Sequence, residues 1–231
     1  MPDQRRGVGR PRVVVLVAGT GTEVGKTWVS ARLIENWRRR GLTVAARKPA
    51  QSYEAGEGPT DAEVLAEATG EDPAAVCPPA HSYPVAVAPP MAAEMLGRPV
   101  PTVADLLGGF DWPVPSVEVG LVETAGGVRS PQGGDGDVIT MAAAVGPDRI
   151  LLVADAGLGT INAVRLSVAA LSTPHLPPTT VVLNRYDDAS DLHRRNRGWL
   201  RDVDGFDVVP GTAPGIEELA ATVAVPAAER P

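Results

Sequence analysis

The chain is poor in cysteine and aromatic residues and has no long apolar run. Cys77 is the only cysteine among 231 residues, so no disulfide can form within the chain, and we interpret it as a buried or incidental thiol. Aromatic residues account for 4% of a sequence that is 44% hydrophobic, so the core must consist of Val, Leu, Ile and Ala. No apolar stretch approaches the roughly 20 residues that span a membrane, and none follows the N-terminal arginines as in a signal peptide. These absences predict a cytoplasmic protein without a membrane partner.

Positive charge is also scarce. Lys and Arg number 21 against 28 Asp and Glu, which gives a net charge of −7 and argues against a nucleic-acid partner. The basic clusters 38–40 and 193–201 are interpreted as solvated helix faces. A chain of this length and composition can bury a substantial core, and we predict a single domain over 1–231 with a disordered arm at 1–11.

The most informative segment is a glycine-rich turn. Residues 19–27 read Gly-Thr-Gly-Thr-Glu-Val-Gly-Lys-Thr and stand between the apolar run 13–18 and a helical pattern. Strand, turn and helix in this order frame a nucleotide phosphate loop, whose backbone N–H groups favour an anion. Lys26 would contact the β- and γ-phosphates, and the Thr27 hydroxyl could bind Mg²⁺. Because Thr20 stands where the usual pattern has its first glycine, an ordinary strand-to-helix turn is the alternative interpretation.

Short β-branched runs alternate with helical patterns along the chain. The predicted strands are 12–18, 43–48, 118–123, 149–154, 179–183 and 206–209. The predicted helices are 26–40, 60–69, 91–96, 102–109, 137–145, 160–171, 189–203 and 215–223. Several strands are apolar throughout, as is typical of parallel strands covered on both faces. The alternation predicts a doubly wound, mainly parallel α/β sheet of the P-loop NTPase type, which binds ligands beyond the carboxyl ends of its strands.

The segment 71–115 departs from this alternation. It holds many of the prolines, including Pro78-Pro79 and Pro89-Pro90, yet it is too apolar for a disordered linker. We predict an irregular but structured excursion that covers the active face or forms an interface.

Polar residues stand where predicted strands end. Lys48 closes the second strand, Glu123 the third and Asn184 the fifth. A carboxylate at the end of a buried strand is costly unless it is paired or bound to a metal. Asn184 could pair with the edge of adenine. The alternatives are an exposed turn lysine and a capping asparagine.

Asp61 follows Thr60 at the predicted start of a helix, with Glu63 at the capping-box position. Compensation of the helix dipole is therefore one interpretation of Asp61. The other is metal binding, because Thr27, Asp61 and Glu123 together supply the oxygen ligands that Mg²⁺ takes at a nucleotide site.

Taken together, these segments resemble the dethiobiotin synthetase family, from about residue 12 to 224. The shifted spacing of the phosphate loop is this family's own form. The resemblance is carried by 19–27, Lys48-Pro49-Ala50-Gln51-Ser52, Asp61, 89–100 with its Gly97-Arg98-Pro99, Glu123-Thr124-Ala125-Gly126-Gly127, Gly157-Leu158-Gly159-Thr160-Ile161-Asn162 and Asn184.

The resemblance implies a ligase of biotin biosynthesis that depends on ATP and Mg²⁺. The diamine 7,8-diaminononanoate would take up CO₂ as a carbamate, whose oxygen attacks the γ-phosphate of ATP. The second amine would then attack the carbamic-phosphoric anhydride and close a cyclic urea. Such a reaction needs gathered positive charge and positioned N–H donors. The family also implies a homodimer, with the excursion 71–115 at the substrate.

Residue roles follow from the same resemblance, position by position. The implied catalytic residues are Lys48, Lys26 and Thr22. The implied nucleotide-binding residues are Gly21, Thr22, Glu23, Val24, Gly25, Lys26, Thr27 and Asn184. The implied substrate-binding residues are Thr22, Lys48, Ser52, Gly126 and Gly127, and the implied metal ligands are Thr27, Asp61 and Glu123.

Three residues depart from the family pattern. Tyr53 and Thr124 stand where glycine is usual, and Arg129 stands at a position that is usually apolar or aromatic. We expect all three to flank the substrate rather than the nucleotide. They leave open a related carboxylase or cyclo-ligase that acts on another diamine.

Two further alternatives are an ATPase of another functional class and a degenerate member of the same family. Partitioning and regulatory ATPases share the nucleotide core, but they usually carry an extra lysine early in the phosphate loop, where this chain has Thr20-Gly21-Thr22. A member that binds nucleotide without turnover is the other alternative, although Lys26, Lys48 and the implied metal ligands are all present.

Overall fold

The structure is a computed structural model that describes residues 9–109 and 111–223, so most of the predicted arm at 1–11 lies outside the described residues. Its strands are β1 (Val13–Gly19), β2 (Val44–Arg47), β3 (Gln51–Ser52), β4 (Ser82–Tyr83), β5 (Val119–Glu123), β6 (Pro131–Gly133), β7 (Gly136–Asp137), β8 (Arg149–Asp155), β9 (Thr179–Asn184) and β10 (Asp207–Pro210). Six of them form a parallel sheet in the order β10-β9-β8-β1-β5-β2. The chain winds in one direction from β1 to β2 and in the other from β8 to β10. Sheets of this kind bind ligands where the winding direction changes, next to β1.

Helices cover both faces of this sheet. The helices in the described residues are α1 (Lys26–Arg39), α2 (Asp61–Thr69), α3 (Pro73–Val76), α4 (Pro89–Met95), α5 (Val103–Gly108), α6 (Val138–Val145), α7 (Thr160–Leu171), α8 (Asp191–Gly198) and α9 (Ala213–Val223). One apolar cluster joins the sheet to α1, α2 and α9, and a second joins its other face to α6 and α7. The predicted doubly wound parallel α/β fold is therefore confirmed.

Strand β1 shows how the sequence builds this arrangement. All seven of its residues are buried. Val13, Val15 and Val17 belong to the cluster under α1, whereas Val14 and Leu16 belong to the opposite cluster. Alternate side chains of a strand point to opposite faces, so a strand covered on both sides must be apolar throughout.

Helix α1, which carries the phosphate loop at its N-terminus, packs against both α2 and α9. Its buried face includes Leu33, Ile34 and Trp37. The indole Nε1 of Trp37 donates a hydrogen bond of 3.0 Å to the carbonyl of Ala220 in α9. The helix behind the phosphate loop is thus held by a segment that lies far away in the sequence.

The predicted elements agree with the structure with some differences. Each of the six predicted strands is present with its ends within one residue. The helix predicted from 91 begins at Pro89, because the first turn of a helix needs no N–H donors and tolerates proline. The helix predicted to run to 203 ends at Gly198 and continues as a π-helical turn, Trp199–Val203. The short ribbons β3-β4 and β6-β7 were not predicted, since two or three residues give no periodic signal.

The excursion 71–115 contains α3, α4, α5, β4 and a 3₁₀ turn at Pro79–His81. Tyr83, Ala92 and Leu106 form a third apolar cluster there, which also includes Met141 of α6. Cys77 is buried at the edge of this region, and burial raises the pKa of its thiol to about 12, so it has no reactive thiolate. Among the described residues, the structure contains no helix with the length and apolar character needed to span a membrane.

Candidate active site

The phosphate loop connects β1 to α1 and has an unusual backbone. Glu23 and Gly25 both adopt left-handed conformations, with φ of 60° and 90°. Lys26 turns back over the loop, and its ammonium donates hydrogen bonds of 2.9 Å to the carbonyls of Gly21 and Gly126. Burial, and then the charge of Lys48, lowers the pKa of Lys26 to about 8, so it is still mostly protonated at neutral pH. Lys26 thus joins the phosphate loop to the turn that follows β5.

The end of β9 holds the loop from the other side. The amide nitrogen of Asn184 donates to the carbonyl of Val24 at 3.0 Å, and the guanidinium of Arg185 donates to the carbonyl of Glu23 at 2.8 Å. A Cβ on Gly25 would lie 1.9 Å from the Asn184 amide nitrogen. Gly25 is therefore required both for its left-handed backbone and for the close approach of Asn184.

Four polar side chains meet above the carboxyl ends of β2 and β5. Lys48 Nζ lies 2.6 Å from Asp61 Oδ2 and 2.7 Å from Glu123 Oε1. The Thr27 hydroxyl lies 2.7 Å from Asp61 Oδ1 and 2.8 Å from Glu123 Oε1. Glu123 is completely buried, and only 1% of the surface of Lys48 is exposed. We call Thr27, Lys48, Asp61 and Glu123 the charged cluster.

The charges in this cluster stabilise one another. Lys48 holds the pKa of Asp61 down at about 2, against the effect of burial. Burial alone would lower the pKa of Lys48, but Asp61 and Glu123 outweigh it, and the pKa of Lys48 is raised above its ordinary value. Asp61 and Lys48 are therefore both ionised at neutral pH, and the ionised form of a carboxylate is the form that binds a metal ion.

The cluster also fits a magnesium ion. A hydroxyl and two carboxylates supply only oxygen donors, which Mg²⁺ prefers. Among the residues that the structure describes, no three His, Cys, Asp or Glu side chains are grouped so as to hold a metal by themselves. Thr27, Asp61 and Glu123 would thus share the ion with phosphate oxygens and water, as is usual at nucleotide sites.

The start of α2 shows what the side chain of Asp61 contacts. The capping box of this helix consists of Thr60 and Glu63, each bonded to the backbone of the other. Asp61 lies in the first turn, but its side chain contacts Thr27 and Lys48. Gln51 anchors this turn, because its side-chain oxygen accepts a hydrogen bond of 2.9 Å from the backbone N–H of Ala62. Capping therefore does not require Asp61, whose side chain faces the charged cluster.

Two cavities adjoin the phosphate loop. The larger, which we call the site cavity, has a volume of about 710 Å³. Its lining includes Thr22, Glu23, Gly25, Lys26, Thr27, Lys48, Ser52, Tyr53, Asp61, Gly126, Ser130 and Arg185. The second, the side cavity, has a volume of about 570 Å³ and lies between the turn 127–131 and α7. Thr22 and Ser130 line both cavities, so a single ligand could extend from one into the other.

Most of the residues expected at the site lie around these cavities. Gly21 and Gly127 line the side cavity. Val24 and Asn184 lie behind the phosphate loop, bonded to each other, and Glu123 is buried within the charged cluster.

The three departures from the family pattern lie in different environments. Tyr53 lines the site cavity, and Arg129 lines the side cavity, where it pairs with Asp137 at 2.8 Å. Thr124 is fully buried, and its hydroxyl donates to the carbonyl of Val17 at 3.2 Å. The expectation that Thr124 flanks the substrate is therefore wrong, because its side chain packs against β1.

Several supporting residues were not predicted. Ser30 donates a hydrogen bond to Glu123, Gln51 anchors α2, and Gln132 holds the turn after β5 through both backbone groups of Ala125. Of these residues, only Ser30 could have been predicted from the sequence, because it lies one helical turn after Thr27 on the face of α1 that meets the sheet.

Comparison with known proteins identifies the family. A family model described as an AAA domain matches residues 14–222. Over 208 residues the chain is 35% identical to the ATP-dependent dethiobiotin synthetase BioD of Rhodococcus jostii (strain RHA1). This alignment covers 90% of this chain and 89% of that protein. Over 179 residues the chain is 39% identical to the ATP-dependent dethiobiotin synthetase BioD of Anaeromyxobacter sp. (strain Fw109-5). This alignment covers 77% of this chain and 78% of that protein.

A solved structure supports the fold independently of sequence. The chloroplast FtsY of Physcomitrella patens matches 94% of this chain and 69% of its own, with a TM-score of 0.50 and 17% identity. This likeness concerns the fold alone, and with the phosphate loop it confirms the predicted P-loop NTPase architecture. On the family model and the close relatives together, the chain belongs to the dethiobiotin synthetase family.

Proposed function

We propose that this protein is an ATP-dependent ligase that forms the cyclic urea dethiobiotin from 7,8-diaminononanoate and CO₂, with Mg²⁺ as its metal. The observation that supports this best is the position of Lys48. Its ammonium contacts both carboxylates of the charged cluster and lines the same cavity as Lys26 and Ser52. Two lysines are thus available in one cavity for a reaction in which a carbamate and a phosphoryl group must come together.

Three steps would complete the reaction. One amine of the diamine attacks CO₂, forms a C–N bond and loses a proton, which gives a carbamate. A carbamate oxygen attacks the γ-phosphorus of ATP; the new O–P bond replaces the bond to the bridging oxygen, and ADP leaves. The second amine attacks the carbonyl carbon of the mixed anhydride, expels phosphate and loses its proton, which closes the ring. Each step brings anions or amines into line, so positioning and positive charge are the main requirements.

The residues around the cavity suit these requirements. Lys26, at the start of α1, would stabilise the β- and γ-phosphates, together with the N–H groups of the phosphate loop. Lys48 would stabilise the carbamate and the phosphoryl group in transfer. The hydroxyls of Thr22 and Ser52, which both line the site cavity, would orient the amines and the carbamate. Asn184 would contact adenine from behind the loop.

The charged cluster would hold the metal through Thr27, Asp61 and Glu123. Bound Mg²⁺ would neutralise charge on the phosphate oxygens of ATP. The predicted homodimer and cytoplasmic location stay predictions.

The first test is product formation. The protein is incubated with ATP, Mg²⁺, bicarbonate and 7,8-diaminononanoate, and the cyclic urea is detected by mass spectrometry. Phosphate release that requires both the diamine and bicarbonate would distinguish the ligase from a regulatory ATPase or a binder without turnover. Normal ATP binding without cyclic urea would refute this diamine as the substrate.

Another diamine is the alternative, because Tyr53 and Arg129 line the cavities where the family pattern has other residues. The side cavity suits an aliphatic chain that ends in a carboxylate, since Leu166 and Ala170 form one wall and Arg129 supplies a cation. A shorter or uncharged diamine would not need that cation.

We expect Arg129→Ala to raise the KM for the diamine roughly 5-fold while changing kcat little, because an exposed ion pair contributes modestly and equally to ground and transition states. The measurement is steady-state kinetics with the diamine varied at saturating ATP. The matched control is Arg195→Ala, which removes another exposed arginine paired to an aspartate. An unchanged KM would assign Arg129 to its pairing with Asp137 alone.

We expect Asp61→Asn to raise the Mg²⁺ concentration for half-maximal activity on the order of 10-fold or more, because one of the two carboxylates becomes neutral. Activity is measured across a Mg²⁺ titration at fixed ATP. Glu63→Gln is the control, since it weakens the capping box of the same helix and leaves the charged cluster intact. If both variants show the wild-type metal dependence, Asp61 does not bind the metal.

A further inference from the structure

Ser30 lies beneath the charged cluster and touches it at one point. It is fully buried in α1, and its hydroxyl donates a hydrogen bond of 2.6 Å to Glu123 Oε2. This length is typical of a hydroxyl bonded to an ionised carboxylate, the stronger kind of hydrogen bond. The proposed function gives Ser30 no role, and it lines neither of the two cavities beside the phosphate loop.

The two oxygens of Glu123 have separate partners. Oε1 faces Lys48 at 2.7 Å and the Thr27 hydroxyl at 2.8 Å, on the side of the site cavity. Oε2 faces Ser30. Thr27 and Ser30 are three residues apart in α1 and so lie on the same face of the helix, one turn from each other. One helix therefore contacts both oxygens of the carboxylate.

This arrangement matters because the last torsion of a glutamate side chain is soft. Rotation about it has broad minima, so packing of the carbon chain does not by itself fix the plane of the carboxylate. Three contacts fix it here: Lys48 and Thr27 hold Oε1, and Ser30 holds Oε2 from the opposite side. Without the bond from Ser30, the contacts that hold Glu123 would all be on Oε1, the oxygen that a metal ion would also engage, and the orientation of the carboxylate would be less well defined.

We propose that Ser30 is a positioning residue for the metal site: its hydrogen bond to Oε2 orients Glu123 so that Oε1 is presented to Mg²⁺. The inference rests on the proposed function, because it takes Glu123 to be a metal ligand. Ser30 itself touches neither metal nor substrate. Groups that orient metal ligands in this way typically change metal affinity 10- to 100-fold when they are removed.

The test measures metal binding without turnover. Mn²⁺ replaces Mg²⁺ as a spectroscopic probe, and electron paramagnetic resonance gives the Kd of Mn²⁺ for the full chain saturated with ADP. We expect Ser30→Ala to raise this Kd about 10-fold. Ser30→Thr, which keeps the hydroxyl, should restore it to within about 2-fold of the wild type. The affinity for ADP in the presence of a chelator should be the same in all three proteins.

A control variant distinguishes the orientation of Glu123 by Ser30 from the general effect of removing a buried hydroxyl. Thr69 in α2 is also buried, and its hydroxyl donates to the carbonyl of Leu65 within its own helix. Thr69→Val should lower the melting temperature and leave the Mn²⁺ Kd unchanged. If Ser30→Ala does the same, Ser30 is only structural and the proposal is wrong.

The remaining outcomes are also decisive. If Ser30→Ala does not fold, Ser30→Cys keeps the volume with a weaker donor and should give an intermediate Kd, whereas a wild-type Kd would overturn the proposal. A wild-type chain that binds ADP but no Mn²⁺ would refute the proposed metal site, and the role of Ser30 with it. A wild-type chain that binds Mn²⁺ as tightly as Ser30→Ala does would refute the role of Ser30 alone.

Discussion

Replacing Lys26 with alanine is expected to reduce turnover 100-fold or more while the protein remains folded. In the proposed reaction this ammonium stabilises the charge that develops on the phosphates, and the loss of one such preorganised contact typically costs about 10²–10³ in kcat. The fold should tolerate the change. Burial lowers the pKa of Lys26, which means that the folded protein disfavours its charged form.

The measurement is the rate of phosphate release with ATP, bicarbonate and the diamine at saturation, alongside circular dichroism and thermal unfolding. Arg32→Ala is the control, because it removes an exposed cation from the same helix, outside the two cavities. A folded Lys26→Ala protein with turnover near that of Arg32→Ala would contradict the assignment of residues 19–27 as a phosphate loop.

Replacing Lys48 with methionine is expected to lower the free energy of unfolding by about 3–5 kcal/mol when no divalent cation is present. Glu123 is completely buried and Asp61 lies beside it, and Lys48 is the cation that both carboxylates contact. Removing one member of such a cluster leaves charge in a place that water does not reach. Urea denaturation at pH 7, in the presence of a chelator, measures the change. Turnover should be lost as well.

Two further measurements test this explanation. Mg²⁺ should restore part of the lost stability, because a bound cation would again neutralise the carboxylates and stabilises only the folded state. The double variant Lys48→Met/Glu123→Gln should lose less stability than the two single variants lose together. In the double variant both members of the ion pair are neutral, so neither is left as an unpaired buried charge. Additive losses, or a Lys48→Met protein as stable as the wild type, would show that the cluster does not depend on this ion pair.

The sequence predicted the parts of the site that follow from strand order. Lys48 and Glu123 are the last residues of two predicted strands. Because β2 and β5 are parallel neighbours, the carboxyl ends of these two strands meet at one edge of the sheet. The phosphate loop was equally predictable, since strand, glycines and helix are all local features. Asp61 was harder, because its helix could have been capped by the same residues without any contact to the site.

Other features required the packed structure. Gln51 acts through a buried hydrogen bond to the backbone of Ala62, and a sequence does not show which polar residues are buried or which backbone groups they reach. The position of Thr124, in contrast, could have been predicted from the sequence. It directly follows Glu123, and consecutive side chains along an extended chain point to opposite sides. If one of them faces the charged cluster, the other must face away from it.

The packing of α1 against α9 also affects how the protein is made. The residues joined by the Trp37–Ala220 hydrogen bond are 183 positions apart. A ribosome that adds roughly 5–20 residues per second needs roughly 10–40 seconds to cover that distance. During this interval the nascent helix that bears the phosphate loop has already left the ribosome, while Trp37 still lacks its partner. The helix behind the phosphate loop is therefore among the earliest parts of the chain to be synthesised and among the latest to be enclosed.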